Sequence, residues 1–263
     1  RQYENGNHLG EAHFYMAACL SDAGDNSGAL LSYEKVLNLP PSEFTEASAL
    51  GAATLSWNEG DYPRALGHYR VLSEVATLKS NNLEASIGSM RCYYLLDQPD
   101  LAFEYANEVY NDEETPESIK RTAALWLGRI NYDKASYDNA LTFFKSTVDY
   151  GGAVGAESQY MVAQIQYDRA QFTDAEQSIF TLVGEFANYT EWKHKGFLLL
   201  VKSYIGMEDL FQARATAESI IENVQEEWVQ DACSDLMLEI EELEINQDNN
   251  QDNNQEEQQG DDQ

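Results

Sequence analysis

Apolar residues return every three or four positions through most of this chain, in short segments that come in pairs. Ala12, Tyr15, Met16 and Cys19 are followed, after a break, by Leu30, Tyr33 and Leu37, and Ala49, Ala52, Ala53 and Leu55 by Leu66, Tyr69 and Leu72. Ile87, Met90 and Tyr94 precede Ala102, Ala106 and Val109, and Ala124, Leu127 and Gly128 precede Tyr137, Ala140, Phe143 and Phe144. Tyr160 and Ala163 lead to Phe172, Ala175 and Leu182, and Phe197, Leu200, Val201 and Tyr204 lead to Ala213, Ala217 and Ile220. Such spacing lays one face of an α-helix into a core, so each pair predicts two helices. Pro40-Pro41, Thr115-Pro116-Glu117 and Gly151-Gly152 separate one pair from the next.

The breaks inside the pairs resemble one another. Gly24-Asp25-Asn26-Ser27-Gly28-Ala29 and Gly60-Asp61-Tyr62-Pro63-Arg64-Ala65 are a short turn, then a small residue opening the next helix. The same form recurs at Gln98–Ala102, Ser136–Ala140, Gln171–Ala175 and Asp209–Ala213. The small residues at 29, 65, 102, 140, 175 and 213 are 36, 37, 38, 35 and 38 apart. That period belongs to helical solenoids, whose units each bury one face against their neighbours. Architectures of this kind usually bind other molecules rather than transform them.

Four segments follow. Residues 1–8 are polar and carry no period, and are expected to be flexible; residues 9–225 hold the repeats. Over 226–245, Val229, Ala232, Cys233, Leu236 and Ile240 form one more amphipathic stripe, backed by Glu239, Glu241, Glu242 and Glu244. It is expected to be a capping helix with a solvated outer side. Residues 246–263 are Asn, Gln, Asp and Glu with almost no apolar content, which predicts a disordered acidic tail.

Composition narrows the function more than the fold. Acidic residues number 46 against 16 basic, a net charge of −30. Nucleic acid is excluded as a partner, since phosphate neutralisation needs clustered Lys and Arg, and adsorption to an anionic membrane is disfavoured. No run of eighteen apolar residues exists to insert into a bilayer. The chain carries no secretory signal and begins at Arg1 rather than Met, which leaves room for an upstream leader or lipid anchor. Cys19, Cys92 and Cys233 have neither disulfide nor zinc spacing and are expected to be small buried packing residues. His8, His13, His68 and His194 lack metal-ligand spacing, and no phosphate loop or nucleophile elbow is present. No catalytic residue, metal or cofactor is predicted.

The repeat residues resemble the tetratricopeptide repeat. Leu127-Gly128, Tyr137, Ala140 and Phe144 stand in its register, as do Met16-Ala17, Leu20, Gly24, Ala29 and Tyr33. So do Ala53, Gly60, Tyr62, Ala65 and Tyr69, and Val162-Ala163, Phe172 and Ala175. The usual tryptophan is missing, Asn131 replaces an aromatic, and the spacers exceed the 34-residue family period. The resemblance implies an all-α, right-handed α-solenoid of about six hairpins plus the capping helix. The longer spacers are similar to those of bacterial envelope solenoids of the BamD and YbgF types. The Tyr- and Asn-rich texture resembles large multi-repeat proteins of the Bacteroidota, of which this would be a C-terminal segment.

In that family the first helix of each pair lines a concave groove. Carried over, one row holds Ser21, Trp57, Tyr94, Tyr132, Tyr167 and Ile205, and the neighbouring row holds the cations Arg91, Arg129 and Lys202. Trp57, Tyr94, Tyr132 and Tyr167 with those cations could hold an extended peptide by stacking and carboxylate pairing. Ordinary repeat packing with solvated charge is the alternative. Over all groove positions, four cations (Arg91, Arg129, Lys195, Lys202) face six acids (Glu11, Asp22, Glu84, Asp133, Glu157, Asp168). Trp126 and Trp192 are read as packing residues. The implied function is a non-catalytic scaffold for a protein or peptide, in the bacterial periplasm or at the outer membrane, with the cytoplasm as the alternative. A glycan- or nutrient-binding surface lipoprotein is the rival class.

Overall fold

A computed structural model describes the backbone of residues 2–260 and the side chains of residues 8–247. Among the described residues there are thirteen α-helices and no strand. They are α1 (Gln2–Asp22), α2 (Asn26–Leu37), α3 (Thr45–Asn58), α4 (Tyr62–Val75), α5 (Lys79–Leu95), α6 (Pro99–Asn111) and α7 (Glu117–Asp133), then α8 (Tyr137–Val148), α9 (Gly152–Asp168), α10 (Phe172–Glu185), α11 (Thr190–Gly206), α12 (Leu210–Asn223) and α13 (Glu227–Gly260). The chain divides into two compact units, residues 1–134 (α1–α7) and 135–263 (α8–α13), so the boundary falls inside the fourth predicted pair. Within each unit every helix packs on the next in chain order. The first helices of successive pairs also touch, α3 with α5 in one unit and α9 with α11 in the other. Each unit is a stretch of all-α solenoid.

The turns explain the period. A residue in the left-handed region closes each first helix: Gly24, Gly60, Asp97, Ala135, Ala170 and Glu208. Each stands five positions before the small residue that opens the pairing helix. All six small residues, Ala29, Ala65, Ala102, Ala140, Ala175 and Ala213, are fully buried. The Asp25, Asp61, Gln98, Gln171 and Asp209 amides donate back to Leu20, Ser56, Tyr93, Gln166 and Tyr204, the long bond of a Schellman cap. Asp25, Asp61 and Asp209 then cap the following helix by accepting from the Gly28, Arg64 and Gln212 amides.

The junctions between pairs follow a second rule. A methyl on Gly51 would lie 2.7 Å from the Tyr33 ring, and one on Gly88 would overlap the Tyr69 ring. Position for position, the next junction of the first unit has the sizes exchanged, with buried Ala106 on α6 and buried Trp126 on α7. Glu46 of α3 holds the start of α5 by accepting from the Thr77 hydroxyl and amide, the Asn81 amide group and the Leu78 amide. These bonds lower its carboxyl to a pKa of about 2. The helix carrying Arg91 and Tyr94 is thereby fixed at its N-terminus.

The ends of the array differ from the rest. Ala12, Tyr15, Met16 and Cys19 form the predicted stripe on α1, but it points outward, so Cys19 is exposed while Cys92 and Cys233 are buried. Burial needs a neighbour, and no described helix lies on that side of α1. The outer side of α13 is not uniformly polar, because Leu238 and Ile245 stand exposed among its acids. The described backbone is helical from Gln2 and up to Gly260, which takes in residues 2–8 and 246–260. A nucleated helix gains a bond with each added residue, and 246–259 hold no Pro or Gly to stop it. Side chains of residues 1–7 and 248–263 lie outside the described residues.

Candidate partner-binding face

In the first unit the predicted row comes together on the first helices. Trp57 sits half-buried at the end of α3, with the Arg91 guanidinium carbon of α5 6.0 Å from its ring centroid. One turn further along α5, Tyr94 meets Trp126 of α7 edge-on at 5.0 Å. Arg129 covers Trp126 at 4.5 Å. The Tyr94 hydroxyl donates to Asp133 at 2.5 Å. Half-buried Tyr132 lies beside Asp133 at the end of α7. Each cation therefore lies over an indole, where the ring quadrupole attracts it. Among the described residues, no carboxylate is within ion-pairing distance of Arg91.

Several other bases are matched with acids: Arg64 forks onto Glu34 at 2.8 Å, Lys134 reaches Asp100 at 2.6 Å, and Lys79 lies between Glu114 and Asp112. In the second unit Arg169 meets Asp138 at 2.8 Å and Arg214 meets Glu244 at 2.5 Å.

The second unit treats its share of the row differently. Tyr167 leans on Phe172 at the α9–α10 turn, 5.6 Å between centroids, and packs against the core around Ala163 and Val201. Burial raises its phenol pKa, with Glu239 and Asp168 adding to the rise. Lys202 is exposed, and no ring or ion contact joins it to Tyr167 among the described residues. A different cluster forms near the start of α11. Lys195 lies 4.2 Å over Trp192, and Trp192 packs on Tyr160 at 5.6 Å. Lys195 also pairs with Glu191 at 2.7 Å. It borders a cleft of about 480 Å³ lined by Thr190, Glu191, His194, Glu226 and Trp228. Burial lowers the His194 pKa, against the opposing pull of Glu226 3.6 Å away.

The structure thus joins Trp57 to Arg91, and Tyr94 to Arg129 through Trp126, and leaves Tyr167 and Lys202 apart. Trp126 and Trp192 do pack between helices as expected, but each also carries a cation. The sequence sign was the spacing: Trp126 and Arg129, like Trp192 and Lys195, are three residues apart and share a helix face. Among the described residues no cluster of three or more His, Cys, Asp or Glu could hold a metal ion. Among the described residues no helix is long and apolar enough to cross a membrane.

No protein-family model matches the sequence, and no curated protein matches it. Solved structures do resemble it. A tetratricopeptide repeat protein from Parabacteroides merdae superposes with a TM-score of 0.69 at 16% identity, over 91% of this chain and 88% of the other. PilW, a widely conserved type IV pilus biogenesis factor, gives 0.65 at 16% identity, over 86% of this chain and 98% of its own. PilF of Pseudomonas aeruginosa gives 0.59 at 16% identity, over 85% and 96%. At these identities the likeness is one of fold.

Proposed function

We propose that this tetratricopeptide-repeat fold serves as a non-catalytic scaffold that captures a protein segment on its first-helix faces. In the first unit the contacts are Trp57, Tyr94 and Tyr132 with Arg91 and Arg129; in the second they are Tyr167 and Lys202. One observation carries the reading. Arg91 rests on Trp57 without a carboxylate partner in a chain where acids outnumber bases 46 to 16. A cation held by a ring keeps its hydrogen-bond donors for an incoming acceptor, and the planar guanidinium suits a carboxylate. The partner is therefore an extended peptide with an acidic side chain or C-terminus beside an apolar residue.

The test is a peptide-display selection on the wild-type chain, followed by affinity measurement on Arg91→Ala and Trp57→Ala. Selected peptides should be enriched in acids and lose about tenfold or more in affinity on either substitution. Peptides that bind both variants as well as wild type would move the site off this face. A glycan array run alongside tests the rival class, and glycan binding lost with Trp57→Ala would favour it. We further place the chain in the bacterial envelope. The support is its fold likeness to PilW, and fractionation of cells carrying a tagged copy tests it.

A further inference from the structure

Glu46 and His194 hold the same place in their repeats, nineteen residues before the small residues Ala65 and Ala213. Each meets the residue thirty-two positions on, where the next helix begins: Leu78 before α5 and Glu226 before α13. In the first unit this place is filled, and an acceptor meets donors. The Glu46 carboxylate takes hydrogen bonds from the Thr77 hydroxyl and amide, the Leu78 amide and the Asn81 side chain. In the second unit two acceptors meet instead. The His194 side chain is only 7% exposed, and its Nδ1 lies 3.6 Å from the Glu226 carboxylate, beyond hydrogen-bond reach. Among the described residues neither side chain makes a hydrogen bond. Burial lowers the His194 pKa, which favours the neutral ring with an accepting nitrogen.

What this place lacks is a donor, and the cleft of about 480 Å³ opens on it. Lys195, on the cleft wall, is engaged by Glu191 at 2.7 Å and lies over Trp192. Trp228 lines the cleft 43% exposed, with no ring or cation contact among the described residues. The volume is that of a pocket for an organic group, about 300–1,000 Å³, rather than for a lone ion. We infer that the cleft is a binding site for an arginine side chain of a partner protein, which packs its guanidinium against Trp228 and donates to Glu226 and His194. A guanidinium offers several N–H donors in one plane, and that plane stacks on an indole as a compact ammonium does not. Its bond to the Glu226 carboxylate is charge-assisted, and a chain at −30 draws basic segments toward it. The chemistry is the reverse of the Arg91–Trp57 contact: here ring and acid belong to this chain and the cation comes from the partner.

The probe is the end-blocked tripeptide Gly-Arg-Gly, titrated into the full chain while the indole N–H resonances are followed by NMR. Trp228→Phe identifies the Trp228 signal by its loss. That signal should shift saturably, and Glu226→Gln should weaken binding about tenfold. The same tripeptide with citrulline, a neutral isostere of arginine, should leave the signal in place. Absence of a saturable shift overturns the inference, as does an equal response to citrulline or binding indifferent to Glu226→Gln. Equal affinity for Gly-Lys-Gly would overturn the assignment to arginine. Glu222→Gln removes an exposed carboxylate that does not line the cleft. A loss there as large as that of Glu226→Gln would reduce the binding to general charge attraction and overturn the site.

Discussion

At the pair junctions of the first unit, Tyr33 and Tyr69 are accommodated by the missing side chains of Gly51 and Gly88. At the α10–α11 junction of the second unit, Gly206 likewise receives the Phe172 ring, but Gly196 faces side-chain carbons of Leu182 and Ile179. The fold is the same, and the tolerance depends on what faces each glycine. A ring set against a backbone has nowhere to go, whereas an aliphatic side chain can turn a rotamer. Gly88→Ala should destabilise the protein by about 1–3 kcal/mol, because overpacking exceeds the roughly 1 kcal/mol gained in helix propensity. Gly196→Ala puts a methyl 2.9 Å from Leu182 Cδ2 and should come out near neutral or stabilising. Urea midpoints at constant slope report both. Adding Tyr69→Ala to Gly88→Ala should recover part of the loss, and equal costs at the two glycines would erase the contrast.

The turns sharpen the comparison. The first two hairpins place Gly24 and Gly60 in the left-handed position, while the third uses Asp97 and the two hairpins within the second unit use Ala170 and Glu208. A side chain there costs about 1–2 kcal/mol, since its Cβ crowds the following carbonyl. Ala170→Gly should therefore stabilise by about 1 kcal/mol, and Gly60→Ala should destabilise by a similar amount. Thermal or urea midpoints would decide. If Ala170→Gly is destabilising, the second unit gains something from its alanine that turn geometry does not contain.

These two rules account for what could be read from the chain before its structure. The period was legible because every hairpin needs a small residue five positions after its turn, and that requirement leaves a mark in the sequence. The edges of the array were not. Apolar spacing says which residues could be buried, not whether a neighbour arrives, so Ala12, Tyr15, Met16 and Cys19 read as core and stand on the surface. Only half of the candidate row's packing was legible for a related reason. Register placed Trp57 and Arg91 on one face, and they meet. Register alone could not show that Trp126 would fill the space between Tyr94 and Arg129.

The smallest effect expected is a pH dependence, and it is shared by a histidine in each unit. In the first, His68 Nε2 lies 3.1 Å from Glu34, which Arg64 also grips. Burial lowers the His68 pKa, and Glu34 opposes that shift. The Arg64 hydrogen bond lowers the Glu34 pKa despite its partial burial. A histidine with a depressed folded pKa binds fewer protons folded than unfolded. Its contribution is therefore present above about pH 6.5, the unfolded value, and is lost as pH falls through the folded one. Glu34 has the same sign at lower pH, below the usual carboxylate range. His194 of the second unit is depressed by burial as well, but its carboxylate, Glu226, is further away at 3.6 Å. Acid also relieves the repulsion of a chain at −30, so wild type alone mixes opposing trends. The difference between wild type and each of His68→Gln and His194→Gln cancels that background. Both variants should lose stability less steeply than wild type between pH 7 and pH 5. A steeper loss in either variant would mean that the imidazole is charged in the folded chain.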